Sequence, residues 1–304
     1  MTRHRLMLLA LAVSAIATMA AASGAQARVG RSGAARLQRS VAKASSTTPD
    51  PTCLIHSLRR FREAGLGPTH SSVADVVTVE CEPEFAESPV TISADELFSR
   101  CRGNLTWTAT PAIFFGRPIF FGGPTLTVAL DNDGEAWAVL WGGPSCAAGT
   151  SIISAHLDVP PFATVSTTYT ILAPGDTRPG VRARPRRLVE NSINSSAPTI
   201  VYAEFPPVFS ERAITIRSNE LNSRCAGGVT WVGPATTMGG TPTVLGTGPT
   251  TTTTLDNNGN AFVVALAGPS CAAGRSSIEA SLTIAPFTSY LTSFNILSPR
   301  TTNP

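Results

Sequence analysis

The chain carries one text twice, and no other feature limits its fold as tightly. Val90-Thr-Ile-Ser-Ala-Asp-Glu-Leu-Phe-Ser-Arg-Cys101 returns as Ile214-Thr-Ile-Arg-Ser-Asn-Glu-Leu-Asn-Ser-Arg-Cys225. Gly143-Pro-Ser-Cys146-Ala-Ala-Gly149 returns as Gly268-Pro-Ser-Cys271-Ala-Ala-Gly274, and Pro161-Phe162 returns as Pro286-Phe287. The offset is 124 residues from Cys101 to Cys225 and 125 from Cys146 to Cys271. That period is far longer than a solenoid repeat of about 20–50 residues and suits a small domain of about a hundred residues. Whatever the chain does must therefore be built on a duplicated scaffold.

Residues 1–27 read as an export signal. Arg3, His4 and Arg5 precede an apolar run from Leu6 to Ala22, and Ala25-Gln26-Ala27 supplies the small-x-small cleavage pattern. No second apolar stretch is long enough to span a bilayer, so the expectation is a secreted, extracellular protein, with envelope association left open. Export makes the six cysteines presumptive disulfides. The repeat selects among the possible pairings: Cys101 with Cys146, Cys225 with Cys271, and by remainder Cys53 with Cys81. A zinc site is a poor fit, because no cysteine has a C-x-x-C neighbour or a nearby histidine.

The formal net charge of +3 falls to about +1 once Arg3 and Arg5 leave with the signal, which is no nucleic-acid footprint. The basic residues cluster outside the repeats. Arg28, Arg31, Arg36, Arg39 and Lys43 open the mature chain, and Arg178, Arg182, Arg184, Arg186 and Arg187 lie between the copies. Residues 28–71 read as a flexible N-terminal segment, with a short helix over 53–65 suggested by the apolar spacing of Leu54, Ile55, Leu58 and Phe61. Residues 175–197 read as a solvated, semi-extended Arg/Pro-rich linker, with attachment to anionic envelope polymers or proteolysis as its sharper readings.

Each copy, 72–174 and 198–304, reads as all-β. Short β-branched runs alternate with Pro, Ser and Gly. Thr125–Leu130 and Glu135–Trp141 flank Asp131-Asn-Asp-Gly134, a hairpin signature repeated around Asp256-Asn-Asn-Gly259. Trp137, Val139 and Trp141 alternate on one face and align with Phe262, Val264 and Leu266, so they read as core. About seven strands per copy with no long helical stretch predict two tandem immunoglobulin-like β-sandwiches, each with one intradomain disulfide, after a short N-terminal extension.

The Leu-Asp-x-(Asp/Asn)-Gly-x-Ala turn, the Gly-Pro-Ser-Cys-Ala-Ala-Gly segment and the closing Thr-x-x-(Tyr/Phe)-x-Ile-Leu-x-Pro together resemble the immunoglobulin-like repeats of secreted and surface proteins of actinobacteria. The resemblance covers both copies and neither the N-terminal segment nor the linker. It implies stalks, adhesive modules and other non-catalytic extracellular parts. The antibody pattern is not met, since Trp107 and Trp231 each lie six residues after a cysteine.

Candidates for chemistry are few. After signal removal the histidines are His56, His70 and His156, all in copy one; His156 aligns with Ser281. A hydrolase or enzyme inhibitor with a site near His156 is the alternative function, although no Gly-x-Ser-x-Gly elbow accompanies it. Carboxylates shared by both copies are Glu80/Glu204, Glu87/Glu211, Glu96/Glu220 and Asp131/Asp256. Glu96 with Arg100, and Glu220 with Arg224, have the spacing of an ion pair. Asp131-Asn-Asp-Gly134 invites a calcium reading, but the twelfth position of an EF-hand loop would be Gly142 rather than Glu. No cofactor is called for.

The sharpest asymmetry is aromatic. Copy one has Phe114, Phe115, Phe120 and Phe121 around Arg117, where copy two has a Thr/Gly-rich stretch. Exposed, these residues would form a patch suited to a protein or envelope-polymer partner; the plainer reading is an edge hairpin with one Phe of each pair buried. The reading as a whole is a non-enzymatic secreted protein that binds, or builds the envelope, through surfaces of its immunoglobulin-like domains.

Overall fold

The computed structural model describes residues 52–62, 64–65, 71–109, 113–114, 117–173, 178–189, 196–234 and 241–298. Residues 1–51, which include the expected export signal, His70 and Phe115 lie outside them, as do the side chains of Phe114 and Arg117.

The first copy runs β1 (Cys53–His56), β2 (Arg60–Arg62), β3 (Ala64–Gly65), β4 (Ser71–Cys81), β5 (Pro89–Ser93), helix α1 (Asp95–Arg100), β6 (Leu105–Ala109), β7 (Ile113–Phe114), β8 (Arg117–Pro118), β9 (Phe121–Gly122), β10 (Thr125–Ala129), β11 (Glu135–Gly142), β12 (Gly149–Leu157) and β13 (Thr164–Leu172). The second runs β14 (Gly180–Arg184), β15 (Arg187–Val189), β16 (Ala197–Glu204), β17 (Ala213–Arg217), helix α2 (Asn219–Arg224), β18 (Val229–Gly233), β19 (Thr243–Thr247), β20 (Thr250–Thr254), β21 (Asn260–Ala267), β22 (Gly274–Leu282) and β23 (Ser289–Leu297).

Each copy is a sandwich of two sheets, and the strand orders match position for position. Sheet β1-β4-β11-β6-β9 recurs as β14-β16-β21-β18-β19, and sheet β10-β5-β12-β13-β2 recurs as β20-β17-β22-β23-β15. The core of each follows the immunoglobulin plan of four strands A-B-E-D facing C-F-G. Three features extend it, one being the edge strands β9 and β19 beside β6 and β18. The first strand is split, so that β2 leaves its sheet and pairs in parallel with β13. A further strand, β10, crosses back to pair with β5.

The N-terminal reading is corrected here. Residues 53–65 are not helical: β1 pairs antiparallel with β4, with Cys53 directly opposite Cys81, and β2 follows on the other sheet. A helix this short is marginal alone, whereas the free edges of β4 and β13 offer it hydrogen-bond partners. The linker is corrected in the same way. Within 175–197, β14 pairs with β16 and β15 pairs in parallel with β23, the same two contacts that β1 and β2 make. The duplication therefore extends back into these strands, with Leu54 opposite Glu80 matching Gly180 opposite Glu204. All three expected disulfides are present, and Cys53–Cys81 joins two strands of the first sandwich, which thus has two bridges to the second's one.

At the crossover between β1 and β2, buried Asp75 accepts hydrogen bonds from the Ser57 hydroxyl at 2.7 Å and the Leu58 amide at 2.8 Å. Its counterpart, Thr199, donates to the Pro185 carbonyl at 3.0 Å in the β14–β15 crossover. One contact thus survives with donor and acceptor exchanged, because the proline there has no amide hydrogen to offer.

Strands β16 and β21 are buried at every position, and β11 at every position after Glu135. A strand buried on both faces needs cover on both. The inner cover is the sandwich's own second sheet; Tyr169 of β13, for example, donates across to the Ala74 carbonyl at 3.0 Å. The outer cover comes from the other copy. The Trp137 indole donates to the Ser196 carbonyl at 3.2 Å, and Phe61 lies edge-on to Tyr202 and Phe262 with ring centroids 5.6 and 5.2 Å apart. Trp137, Val139 and Trp141 are buried as expected, but on the outward face of their sheet. Both sandwiches belong to one compact unit, Pro49–Pro304, with one continuous apolar core.

Candidate functional site

Three polar residues that the copies share, Arg100/Arg224, Glu96/Glu220 and Asp131/Asp256, hold backbone. Arg100 donates from Nε to the Ser151 hydroxyl and from its two terminal nitrogens to the carbonyls of Ala148 and Thr150, at 2.8–3.0 Å. Arg224 repeats this with Ser276, Ala273 and Arg275. Rather than pairing with these arginines, Glu96 accepts the Ile152 amide at 2.9 Å and Glu220 the Ser277 amide at 2.6 Å. That amide bond is the leading cause holding the Glu220 carboxyl below its ordinary range. Each short helix is thereby pinned to the start of β12 or β22. Gly149 and Gly274 lie within this clamp at φ of +136° and +139°, where a Cβ would meet the Arg100 or Arg224 guanidinium.

Asp131 and Asp256 close the hairpin turns. Asp131 Oδ1 accepts the amides of Asp133 and Glu135, and Asp256 Oδ1 those of Asn258 and Asn260, all at 2.8–2.9 Å. The turns need glycine at Gly134 and Gly259, with φ near +80°, because a Cβ would strike the carbonyl of Cys81 or Phe205. Among the described residues no cluster of His, Cys, Asp and Glu could hold a metal ion.

His156 stands on the outward side of β12. Its Nδ1 is 2.9 Å from the Thr164 hydroxyl, and its ring stacks on Phe162 at 6.3 Å and 12°. The nearby Thr91 hydroxyl donates to Asp158 at 2.8 Å, so hydroxyl, imidazole and carboxylate form two separate pairs and not a relay.

Of the phenylalanine segment, the side chains of Phe120 and Phe121 are described. Phe120 is half-buried and meets Trp141 edge-on at 5.5 Å. Phe121, on edge strand β9, is 45% exposed. Arg117 and Phe114 lie on the small β7–β8 hairpin. A second exposed aromatic, present in both copies, has no candidate role in the sequence pattern. Phe162 and Phe287 sit in equivalent turns at φ of +56° and +54°, and are 56% and 67% exposed. The repeat of Pro-Phe was the available signal.

The seam between the copies has an approximate two-fold character that fails at one place. Phe61 of β2 fills the slot between Tyr202 and Phe262. The equivalent residue of β15 is Leu188, and the equivalents of Tyr202 and Phe262 are Thr78 and Trp137. Leu188 and Thr78 are smaller than Phe61 and Tyr202 and leave space there, where they line with Val76 and Trp137 a cavity of about 330 Å³. At its rim stands His56, 3.8 Å from Glu80. In the second copy the same cross-strand contact is made by Arg182 with Glu204 at 2.6 Å.

No family model matches the sequence, and no curated protein matches it. Among solved structures, the chain is similar to surface layer protein SbsC, domains 4–9, at 12% identity and a TM-score of 0.34, covering 82% of this chain and 31% of that one. It is similar to an alpha-2-macroglobulin variant from Salmonella at 12% identity and a TM-score of 0.23, covering 81% of this chain and 16% of that one. The dimeric latent form of PorU from Porphyromonas gingivalis gives 12% identity and a TM-score of 0.23, covering 81% of this chain and 20% of that one. The chain spans less than a third of the length of each. The fold assignment rests on strand order and register. Among the described residues no helix is long and apolar enough to cross a membrane.

Proposed function

We propose that this is an extracellular, non-catalytic protein that binds a partner or builds the cell envelope as a rigid pair of immunoglobulin-like sandwiches. The observation that carries the reading is the use of the shared polar residues. Arg100/Arg224, Glu96/Glu220 and Asp131/Asp256 are all engaged in holding backbone, so what the duplication preserved is a scaffold. Three disulfides suit an oxidising exterior, and the buried seam fixes the two modules in one orientation. The contact surface is the first sandwich's aromatic segment, Phe114, Phe115, Arg117 and exposed Phe121, with Phe120 serving to cover Trp141.

The test is co-sedimentation of the purified protein with isolated envelopes of the producing cells. The parent should bind, and Phe114→Ser/Phe115→Ser/Phe121→Ser should lose most of that binding while keeping the parent's melting temperature. Unchanged binding would remove the aromatic segment as the contact. Hydrolysis of ester, peptide or glycoside substrates by the parent, abolished in His156→Ala, would overturn the non-catalytic reading.

A further inference from the structure

Edge strand β14 carries a row of cations that β1 lacks. On a strand, residues two apart point to the same side about 7 Å from one another. Val181 and Ala183 point into the core, which turns Arg182 and Arg184 outward. Arg186 follows in the crossover, and Arg275 of β22 lines the opposite bank of an open groove of about 1030 Å³. Arg184, Arg186 and Arg275 are exposed. The one carboxylate among the described lining residues is Glu220, whose Oε2 accepts the Ser277 amide and whose charge acts on Arg275. Arg182 is held by Glu204, so Arg184, Arg186 and Arg275 stand around one concavity against the single charge of Glu220.

The first sandwich supplies a natural contrast. The positions equivalent to Arg184 and Arg275 are Leu58 and Thr150, while Arg186 has a counterpart in Arg59, so one of the three cations recurs in the first copy and two do not. In a chain whose mature formal charge is close to zero, the concentration of cations in one groove is local and one-sided, and local potential governs what a surface attracts.

We infer that this groove binds a linear phosphate-bearing polymer along Arg184, Arg186 and Arg275. Guanidinium groups match phosphate oxygens with paired, charge-assisted hydrogen bonds, and a row of them favours a chain of anions over a single one. The described lining contains no aromatic ring, so nucleobases would find nothing to stack on; the ligand is a polymer without bases. The inference shares with the proposed function only the extracellular setting. The groove and the aromatic segment lie on different sandwiches, so either can fail without the other.

The experiment titrates the purified full-length mature protein with inorganic polyphosphate, orthophosphate, a sulfated polysaccharide and a single-stranded oligonucleotide over a range of salt. Polyphosphate should bind best, with affinity falling as salt rises, and orthophosphate should bind at least tenfold more weakly. Arg184→Gln/Arg186→Gln/Arg275→Gln should weaken polyphosphate binding at least tenfold with an unchanged melting temperature. Arg102→Gln/Arg212→Gln/Arg217→Gln removes equal charge from exposed positions elsewhere and should change it less than twofold. Equal loss in both variants, no polyphosphate binding at 0.15 M salt (a Debye length of about 8 Å), or tighter binding of the sulfated polymer or the oligonucleotide would overturn the inference.

Discussion

Phe61 of the first sandwich meets Phe262 of the second edge-on, with ring planes at 90° and centroids 5.2 Å apart. The contact joins the split first strand of one module to the central strand of the other, so the module boundary runs through apolar packing and not along a tether. Phe61→Ala should destabilise the protein by about 3–5 kcal/mol. Chemical denaturation read by tryptophan fluorescence and circular dichroism should show one transition in the parent and two in the variant. A single transition with unchanged midpoint would show that the seam contributes nothing.

The opposite corner of the seam is underfilled. Leu188→Phe places in the cavity beside Thr78 and Trp137 the ring that Phe61 already supplies on the other side. The expected gain is about 0.5–2 kcal/mol, measured as a raised denaturation midpoint. A loss would mean that the ring cannot reach an unstrained rotamer there.

Burial pushes the Asp75 carboxyl up from 3.8 to about 7, against the hydrogen bonds from Ser57 and Leu58 that pull it down. The same charge, after burial itself, raises the Tyr169 hydroxyl. Because the folded pKa lies above the unfolded one, the folded state holds the extra proton between about pH 4 and pH 7. This group's contribution to stability is therefore full below about pH 4 and is lost as the pH rises to 7. Asp75→Asn should flatten the dependence over that window, since the amide oxygen still accepts the Leu58 N–H. Unfolding free energies measured at pH 4.5 and 8 (flanking the midpoint region of the transition) check this; parallel profiles for parent and variant would refute it.

Asp131→Ala strips two backbone amides of their acceptor in the turn after β10, at an expected cost of about 1–3 kcal/mol. If the aspartate works as a turn residue, added calcium or a chelator should leave the parent's melting temperature unchanged. A calcium-dependent melting temperature, lost in the variant, would restore the metal reading.

Much of this architecture was legible in the repeat. Period-two alternation and the Asp-x-x-Gly turns identified the hairpins around Asp131 and Asp256, and paired cysteines gave the disulfides. What escaped is the first strand of each sandwich. Cys53–Phe61 and Gly180–Val189 share almost no sequence, because an edge strand is held mainly by backbone hydrogen bonds and only a few of its side chains enter the core. Leu54, Ile55, Leu58 and Phe61 have helical spacing by coincidence: Leu54 is exposed, while Phe61 serves the other module. The candidate site was legible in part. The Phe segment's asymmetry was visible, but the packing of Phe120 over Trp141 depends on a sheet face that sequence alternation had assigned to the interior. The arginines of 182–186 read as a linker because Arg and Pro dominate them, and the buried Val181 and Ala183 that make them a strand are too few to show periodicity.

The Cys53–Cys81 bridge also decides how the molecule bears tension. Cys53 begins β1 and Cys81 ends β4, so any pull on the chain ahead of Cys53 passes through a covalent bond into the second strand of the sheet. The first strand of that sandwich cannot be peeled away by breaking hydrogen bonds one at a time. The matching strand of the second sandwich is held to its neighbour by its ladder and the Arg182–Glu204 contact. A load entering at the amino-terminal side therefore meets the reinforced module first.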